Sequence, residues 1–346
     1  MSLPANALQY SFPQRGSYNN LVLKEVPVAK PRANEVLVRI HAVSLQFRDL
    51  MIAGGKYPLP ARDSPVPCSD MAGEIVAIGE DVKDWKVQER VCANFCTDQV
   101  YGPATPETQA TALGGAIDGV LTQYRTFPAH SLVAIPKHLS YEEASTLPCA
   151  ALTAYNALHG PVPIKAGDFV LVLGTGGVSI FALQFAVAAG ATVIATSSSD
   201  EKLKIASKLG AKHLINYKKT PDWEEVVNKI TNGVGVDHIV EVGGGTLFKS
   251  IRSARMGTGQ IHIIGHVSSG SEDPSIVFPV IRKAATLRGI LIGSVAQFRD
   301  MVRVLTAHPE STRPVVDKVF PFEKATDAYA YLESQKHVGK VVIKVA

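Results

Sequence analysis

The chain has 346 residues, of which 46% are hydrophobic and 19% charged, and its formal net charge is +4 at pH 7. This length predicts two domains, and the apolar content excludes extensive disorder. The basic residues are scattered, and no run approaches the roughly 18 apolar residues of a membrane span, so we expect neither a nucleic-acid-binding nor a membrane protein.

The first 150 residues contain short apolar runs that are separated by Gly and Pro. The runs 35–40, 73–78 and 89–93 predict strands of a compact, mostly β domain. The segment 97–119 is polar and rich in Pro, Thr and Gly, and it predicts a surface lobe or long loop.

From Asp168 onward, strand-like apolar runs alternate with helical segments. Parallel strands with helical crossovers are typical of a doubly wound Rossmann sheet. The run 339–345 predicts a last strand that returns to the first domain. We therefore predict an α/β protein with a Rossmann domain over residues 151–293 and a mostly β domain formed by 1–150 and 294–346.

A glycine-rich turn joins the first of these strands to an apolar helix. It consists of Gly174, Thr175, Gly176, Gly177 and Val178. Missing side chains let the backbone approach a pyrophosphate, and free N–H groups at the helix start stabilise its charge. The alternative is a tight turn that needs glycine for positive φ.

The end of the second strand predicts which dinucleotide is bound. A protein that binds NAD commonly has Asp or Glu there, to accept hydrogen bonds from the ribose. This chain has Ser197, Ser198 and Ser199, followed by Lys202. Hydroxyl groups and an ammonium group suit the 2′-phosphate of NADPH, which a carboxylate would repel. Tyr217 follows the next strand and is placed to reach the same phosphate, so we expect NADPH as the cofactor.

Several further motifs resemble those of the medium-chain dehydrogenase/reductase superfamily, in particular its quinone reductase branch. They are NEVLVRI at 34–40, FRDL at 47–50 with GKYP at 55–58, ASTLPCAALTAYNAL at 144–158 and GKVV at 339–342. The resemblance implies a GroES-like β domain that is interrupted in sequence by the Rossmann domain. It also implies an active site in the cleft between them, and a dimer.

The resemblance implies additional cofactor contacts. Thr153 would lie near the nicotinamide end of the cofactor. Residues after the later strands would border the ribose and nicotinamide, namely Gly243, Ile264, Gly265, Leu291 and Ile292. For the glycines among them, a purely structural turn is the alternative interpretation.

Zinc-dependent members of this superfamily hold a catalytic ion with a Cys, a His and a second Cys. By resemblance, this chain has Gln46 and Ser69 at the first two positions, and only Cys149 matches. Neutral Gln and Ser oxygens bind zinc poorly. A substitute site formed by Cys68, Asp70 and Cys149 would contain no histidine. The polar lobe also lacks the cysteines of a structural zinc site, so we predict no metal.

Without a metal, reduction of a simple ketone loses its polarising group, whereas hydride addition to a conjugated carbonyl or a quinone depends less on one. We predict that Tyr57 is a hydrogen-bond donor at the substrate end and that Gln46 orients the substrate or the nicotinamide ribose. Arg48 and Ser69 are further candidates for binding the substrate oxygen, and Asp49 is predicted to cap a helix. The predicted activity is NADPH-dependent reduction of a small hydrophobic enone, enal or quinone.

Two rival functions remain at this stage. One is a zinc-type alcohol dehydrogenase, and the other is a non-catalytic NADPH-binding protein. The apolar segment 276–292 predicts either a sheet-edge dimer interface or core. The four cysteines lack a framework spacing and no secretory signal is visible, so we expect reduced thiols and a cytoplasmic location.

Overall fold

The computed structural model describes residues 3–265 and 276–346, and the chain forms two compact units. Unit 1 contains the chain up to Leu152, together with Ile292–Ala307 and Arg313–Ala346. Unit 2 contains Thr153–Leu291 and His308–Thr312. No helix in the described ranges has the length and apolar character needed to cross a membrane.

The strands and helices are numbered in chain order. The strands are β1 (Asn6–Ser11), β2 (Val22–Pro27), β3 (Glu35–Ser44), β4 (Asp70–Ile78), β5 (Arg90–Ala93), β6 (Tyr124–Pro128), β7 (Leu132–Ala134), β8 (Phe169–Leu173), β9 (Thr192–Ser197), β10 (His213–Asn216), β11 (His238–Glu241), β12 (Gln260–Ile263), β13 (Thr286–Gly289), β14 (Val316–Pro321) and β15 (Lys340–Lys344). The helices are α1 (Phe47–Ala53), α2 (Pro106–Gln109), α3 (Tyr141–Ala144), α4 (Leu152–Leu158), α5 (Gly177–Ala188), α6 (Asp200–Lys208), α7 (Trp223–Ile230), α8 (Leu247–Ser253), α9 (Val277–Lys283), α10 (Val295–Ala307) and α11 (Ala325–Glu333). A π-helical segment, Leu147–Ala151, directly precedes α4.

Unit 1 is built on a seven-stranded sheet. Its order is β14-β15-β3-β4-β5-β7, with β6 also paired to β3, and β1 and β2 form a separate antiparallel pair. Alternate residues of β3, including Val36, Val38 and Ile40, lie in the core with Phe127 and Tyr329. Their alternation is what a half-buried strand requires, and the three strands predicted for the first domain are confirmed as parts of β3, β4 and β5.

The segment 97–119 has the mostly irregular backbone of the predicted long loop, and residues 100–111 are exposed or intermediate, but buried residues lie on both sides of that stretch. Thr97, Gln99, Ala112 and Leu113 are buried, and the short helix α2 lies between these two pairs. The Leu113 N–H donates to the Phe95 carbonyl at 3.0 Å, which draws the second half of the segment inward. The polar composition averaged over the segment concealed these buried positions, of which Thr97 and Gln99 are themselves polar.

Unit 2 has a six-stranded, entirely parallel sheet in the order β10-β9-β8-β11-β12-β13. The predicted fold class is confirmed, because this is the doubly wound order and unit 1 is the predicted β-rich partner. The chain order reverses at β8, whose neighbours are β9 and β11. Such a switch point opens a crevice at the carboxyl ends of the strands, where ligands bind in this architecture.

A pair of histidines is buried within the sheet of unit 2. His238 Nδ1 and His262 Nε2 are 3.1 Å apart and share a proton, and His238 Nε2 lies 3.7 Å from an Asp168 carboxylate oxygen. Burial lowers the pKa of His238 and lowers that of His262 to about 3. Both imidazoles are therefore neutral at neutral pH and act as packed core residues.

Candidate functional site

The residues predicted to bind a dinucleotide follow the carboxyl ends of neighbouring parallel strands in unit 2. In sheet order from β10 to β13 they are Tyr217, Ser198, Gly174, Gly243, Gly265 and Leu291. Because carboxyl ends of parallel strands meet at one edge, the sheet brings these sequence-distant positions together. This edge is the candidate cofactor site.

The glycine turn leaves open space at this edge. Gly174 has a φ of +76°, which requires glycine, whereas Gly176 has an ordinary φ of −74° and precedes the first turn of α5. A Cβ added at either position would meet no atom within 4 Å. Nothing in the described protein therefore requires glycine at Gly176. A ligand pyrophosphate that approaches the backbone would require it, so the turn fits a dinucleotide.

Two of the three serines, Ser197 and Ser199, form a connected group with Tyr217. Ser199 caps α6, and its Oγ accepts from Lys202 N at 3.4 Å, while Ser197 Oγ accepts from Ser199 N at 3.3 Å. The Tyr217 N–H donates to the Ser197 carbonyl at 3.1 Å. A hydroxyl that accepts a hydrogen bond still has its own proton to donate. The group can thus offer hydroxyl donors to a phosphate beside the start of a helix.

Asp200 does not act against such a phosphate. Its carboxylate accepts from Asn216 Nδ2 at 2.7 Å and pairs with Lys219 Nζ. The hydrogen bond from Asn216 lowers the pKa of Asp200 most, and Lys219 lowers it further. The carboxylate therefore stays negatively charged, and Lys219 balances that charge. It lies in the first turn of α6, where the helix dipole favours a negative charge.

Thr153, at the start of unit 2, has a buried hydroxyl without a partner. Its Oγ1 makes no hydrogen bond to any residue in the described ranges, although the residue is almost fully buried. A buried hydroxyl that lacks a partner costs free energy. A ligand atom that bonded to it would remove that cost, which is consistent with the predicted cofactor contact.

Sequence analysis missed Glu241, the last residue of β11. Its buried Oε1 accepts from Gly243 N at 2.9 Å and from Thr246 Oγ1 at 2.7 Å, so it fixes the turn after the strand. A Cβ at Gly243 would lie 2.8 Å from that threonine oxygen, and one at Gly265 would lie 2.7 Å from the Val242 carbonyl. Both glycines therefore have a packing role that is independent of any ligand.

In unit 1, the positions where zinc-dependent relatives have ligands converge on Asp70. Gln46 Nε2 donates to Asp70 Oδ2 at 2.6 Å, and Ser69 Oγ donates to Asp70 Oδ1 at 2.6 Å. The Cys149 backbone N–H donates to Oδ2 at 3.0 Å. A carboxylate can only accept, so it fixes the Gln46 amide with its nitrogen toward Asp70.

A buried lysine accompanies this carboxylate. Lys340, the first residue of β15, is only 4% exposed and donates from Nζ to the Leu45 carbonyl. Burial raises the pKa of Asp70, and Lys340 is the largest influence that lowers it again. Burial likewise lowers the pKa of Lys340, and Asp70 opposes this. The two charges thus compensate each other inside the unit.

The donor set at Asp70 does not fit a catalytic zinc ion. Within residues 3–265 and 276–346, no group of three or more His, Cys, Asp or Glu side chains is arranged to hold a metal. The Cys68 thiol lies 3.4 Å from the Tyr329 hydroxyl, so it is engaged elsewhere. The substitute site considered from the sequence is therefore not formed by these side chains.

Tyr57 and Arg48 lie together in unit 1. The guanidinium carbon of Arg48 is 4.9 Å from the centre of the Tyr57 ring and 4.6 Å from that of Phe95. These distances are typical of cation–π contacts. Tyr57 is half-buried, so the structure places two of the predicted substrate-end residues side by side.

Asp49 caps α1, as predicted. Its Oδ2 accepts from the Gln46 N–H at 2.7 Å. Burial raises the pKa of Asp49 to about 6, although Arg48 lowers it. Asp49 therefore fixes the backbone of Gln46, while Asp70 fixes its side chain.

Comparison with known proteins is consistent with this geometry. The sequence profile of the family described as "Alcohol dehydrogenase GroES-like domain" matches residues 32–137, and that described as "Zinc-binding dehydrogenase" matches residues 177–307. A zinc-type alcohol dehydrogenase-like protein of Schizosaccharomyces pombe is 50% identical, with 93% of each chain covered. A 2-haloacrylate reductase of a Burkholderia species is 31% identical, with 95% of this chain and 96% of the relative covered. A solved structure from Sinorhizobium meliloti, described as an alcohol dehydrogenase, is 39% identical with a TM-score of 0.91 and covers 99% of this chain and 100% of its own.

Proposed function

Because this chain belongs to the medium-chain dehydrogenase/reductase superfamily and is one of its oxidoreductases, we propose that it uses NADPH to reduce small hydrophobic enones, enals or quinones without a metal. The observation that carries the proposal is the set of hydrogen bonds from Gln46, Ser69 and Cys149 to Asp70. By resemblance, these three residues stand at the positions that hold zinc in the metal-dependent branch; here the Gln46 and Ser69 side chains and the Cys149 backbone N–H donate to Asp70 instead. The relative that is named a 2-haloacrylate reductase supports reduction of an activated C=C bond.

Bound at the glycine turn, NADPH would supply a hydride for the β-carbon of the conjugated system, which would leave negative charge on the substrate oxygen. The Tyr57 hydroxyl donates a hydrogen bond to that oxygen and stabilises the charge. Gln46 orients the substrate or the ribose through an amide that Asp70 holds in one direction. Because these groups are held before the reaction, little reorganisation is needed as the charge develops.

NADPH rather than NADH is supported by the charges at the end of β9. Ser197 and Ser199 present hydroxyls there, and Lys202 follows in the first turn of α6. The nearest carboxylate of this turn, Asp200, is neutralised by Lys219. A 2′-phosphate would therefore meet donors and positive charge rather than a repelling acid.

Alcohol oxidation is the second candidate, since the relative at 50% identity is named as a zinc-type alcohol dehydrogenase-like protein. The test follows NADPH absorbance: its consumption with an enal, an enone, a quinone and a simple ketone, and its formation from NADP⁺ with a primary alcohol. We expect turnover of the first three and a zinc content far below one ion per chain. Turnover confined to the alcohol and ketone, and abolished by a chelator, would contradict the proposal. NADPH binding without any turnover would favour the non-catalytic rival.

A homodimer is proposed from an exposed apolar surface on unit 2. Val277, Phe278 and Ile281 of α9 are each 66–68% exposed, next to the edge strand β13. Contiguous exposed apolar side chains of this size mark association surfaces. We expect Ile281→Glu to convert a dimer into a monomer in sedimentation, whereas Val319→Glu, at an exposed valine of unit 1, should leave the dimer intact. Identical masses for both variants would contradict this interface.

A cytoplasmic location is proposed from the thiols. Cys68, Cys92 and Cys96 are buried, and these three and Cys149 are all free. Free thiols persist in a reducing compartment. The same compartment supplies NADPH for reductive reactions.

A further inference from the structure

Arg48 is a cation whose charge lowers the pKa of the neighbouring Asp49 without a direct ion pair to that carboxylate. Its one hydrogen bond runs from Nη1 to the Leu113 carbonyl at 2.9 Å, and it forms no ion pair within the described ranges. Its Nε is buried and without a partner. Charged groups removed from water are normally paired. The guanidinium therefore has unused capacity to bind an anion.

The surroundings of Arg48 are shaped for a guanidinium group. The rings of Tyr57 and Phe95 cover it at 4.9 and 4.6 Å. A Cβ added at Gly115 would lie 2.3 Å from Arg48 Nη2, and the backbone at Gly115 is not in the left-handed region. Glycine at this position thus leaves room for the guanidinium, and the turn itself does not require it. A group held in this way loses little entropy when it binds a partner.

The same surroundings are apolar. Phe95, Cys96 and Ala112 form a buried cluster, against which Cys149 and Ile292 pack. Coulomb attraction is stronger near such side chains than in water, because screening is weaker. An anion that reached Arg48 would therefore be bound strongly, directly beside the Tyr57 ring.

We propose that Arg48 binds the carboxylate of an α,β-unsaturated acid, so that the preferred acceptors are anionic. This inference rests on the proposed function and adds conjugated carboxylic acids to its substrate class. Hydride transfer from NADPH to the β-carbon breaks the C=C π bond and places a second negative charge on the carboxylate. A proton from solvent then adds to the α-carbon and gives the saturated acid and NADP⁺. Arg48 stabilises the doubly charged carboxylate through charge-assisted hydrogen bonds from its amino groups.

The experiment compares one acid with its neutral ester. Values of kcat/KM are measured for 2-chloroacrylate and methyl 2-chloroacrylate, with the wild type and with Arg48→Met, Arg48→Lys and Arg48→Gln. In Arg48→Met we expect the acid to lose about 100-fold in kcat/KM, at least tenfold more than the ester, as for loss of a charge-assisted pair. Arg48→Lys keeps the charge but loses the planar fork, so about a tenfold loss on the acid is expected.

Controls separate substrate binding from a structural role of Arg48. Arg48→Gln retains a donor for the Leu113 carbonyl, and it replaces Arg48→Met in the comparison if the latter does not fold. Arg62→Met removes one exposed positive charge that pairs with Asp118 at 2.9 Å, and it should leave the acid-to-ester ratio unchanged. If every Arg48 variant lowered kcat/KM for the acid and for the ester by the same factor, the inference would be overturned.

The outcomes also distinguish this inference from the proposed function. A wild type that reduces the ester but not the acid would overturn the anionic preference and leave the reductase proposal intact. A wild type that reduces neither compound, nor any enone, enal or quinone, would overturn both. A wild type that prefers the acid, with a preference lost in Arg48→Met, supports both.

Discussion

Replacing Gly176 with alanine is expected to weaken NADPH binding about 100-fold, or ~2.7 kcal/mol, without changing the thermal stability of the free protein. The backbone at Gly176 has φ −74° and ψ 178°, which any residue adopts. A Cβ there would meet no protein atom within 4 Å, so the free protein loses nothing. The methyl group would instead stand where the pyrophosphate must approach the backbone.

The measurement is a fluorescence titration with NADPH, together with a thermal melt in the absence of cofactor. Gly174→Ala is the matched control, because its φ of +76° imposes strain of about 1–2 kcal/mol on any other residue. That variant should lose stability even without cofactor. If Gly176→Ala bound NADPH as tightly as the wild type, the glycines would serve only the turn, and the cofactor site would lie elsewhere.

Lys340→Met is expected to lower the free energy of unfolding by about 3–5 kcal/mol, because it leaves the buried Asp70 carboxylate uncompensated. Lys344→Met is the control on the same strand. Lys344 is exposed and lies 3.6 Å from Glu142, and such surface pairs contribute about 0–1 kcal/mol. Both variants remove one positive charge from β15. The difference between their free energies of unfolding therefore measures the effect of burial on that charge.

Denaturant unfolding of both variants and of the double variant Lys340→Met/Asp70→Asn tests this expectation. The double variant removes both buried charges and should be more stable than Lys340→Met alone. If Lys340→Met and Lys344→Met lowered the free energy of unfolding equally, Lys340 would not compensate the charge of Asp70. The buried Asp70 carboxylate would then be stabilised only by its hydrogen bonds from Gln46, Ser69 and Cys149.

The fold class was predictable because its signals are local. The central strands β8 and β9 are short apolar runs that are buried almost throughout, and each is followed by a turn and a helix within a few residues. The glycine turn was recognisable for the same reason, since Gly174, Gly176 and the start of α5 are adjacent in sequence. Placement of the six strand ends at one edge follows from parallel topology alone.

The charge network of unit 1 was not predictable because its members are distant in sequence. Lys340 reaches Asp70 only because β15 pairs with β3 and β3 with β4. A lysine that opens a strand is usually exposed, so nothing local marked it as buried. Gln46 was recognised as a departure from the zinc pattern. The hydrogen-bond partner of its side chain is Asp70. The sequence had indicated Asp70 only as a possible metal ligand.

In acidic solution, the two buried histidines of unit 2 lose protons when that unit folds. An unfolded chain binds protons at both imidazoles below a pKa of about 6.5, whereas the folded pKa is lowered for His238 and is about 3 for His262. The pair's contribution is therefore intact above pH 6.5 and declines as pH falls toward 3, by up to about 1.4 kcal/mol per pH unit and histidine. Acidification is thus predicted to weaken unit 2 from within its parallel sheet.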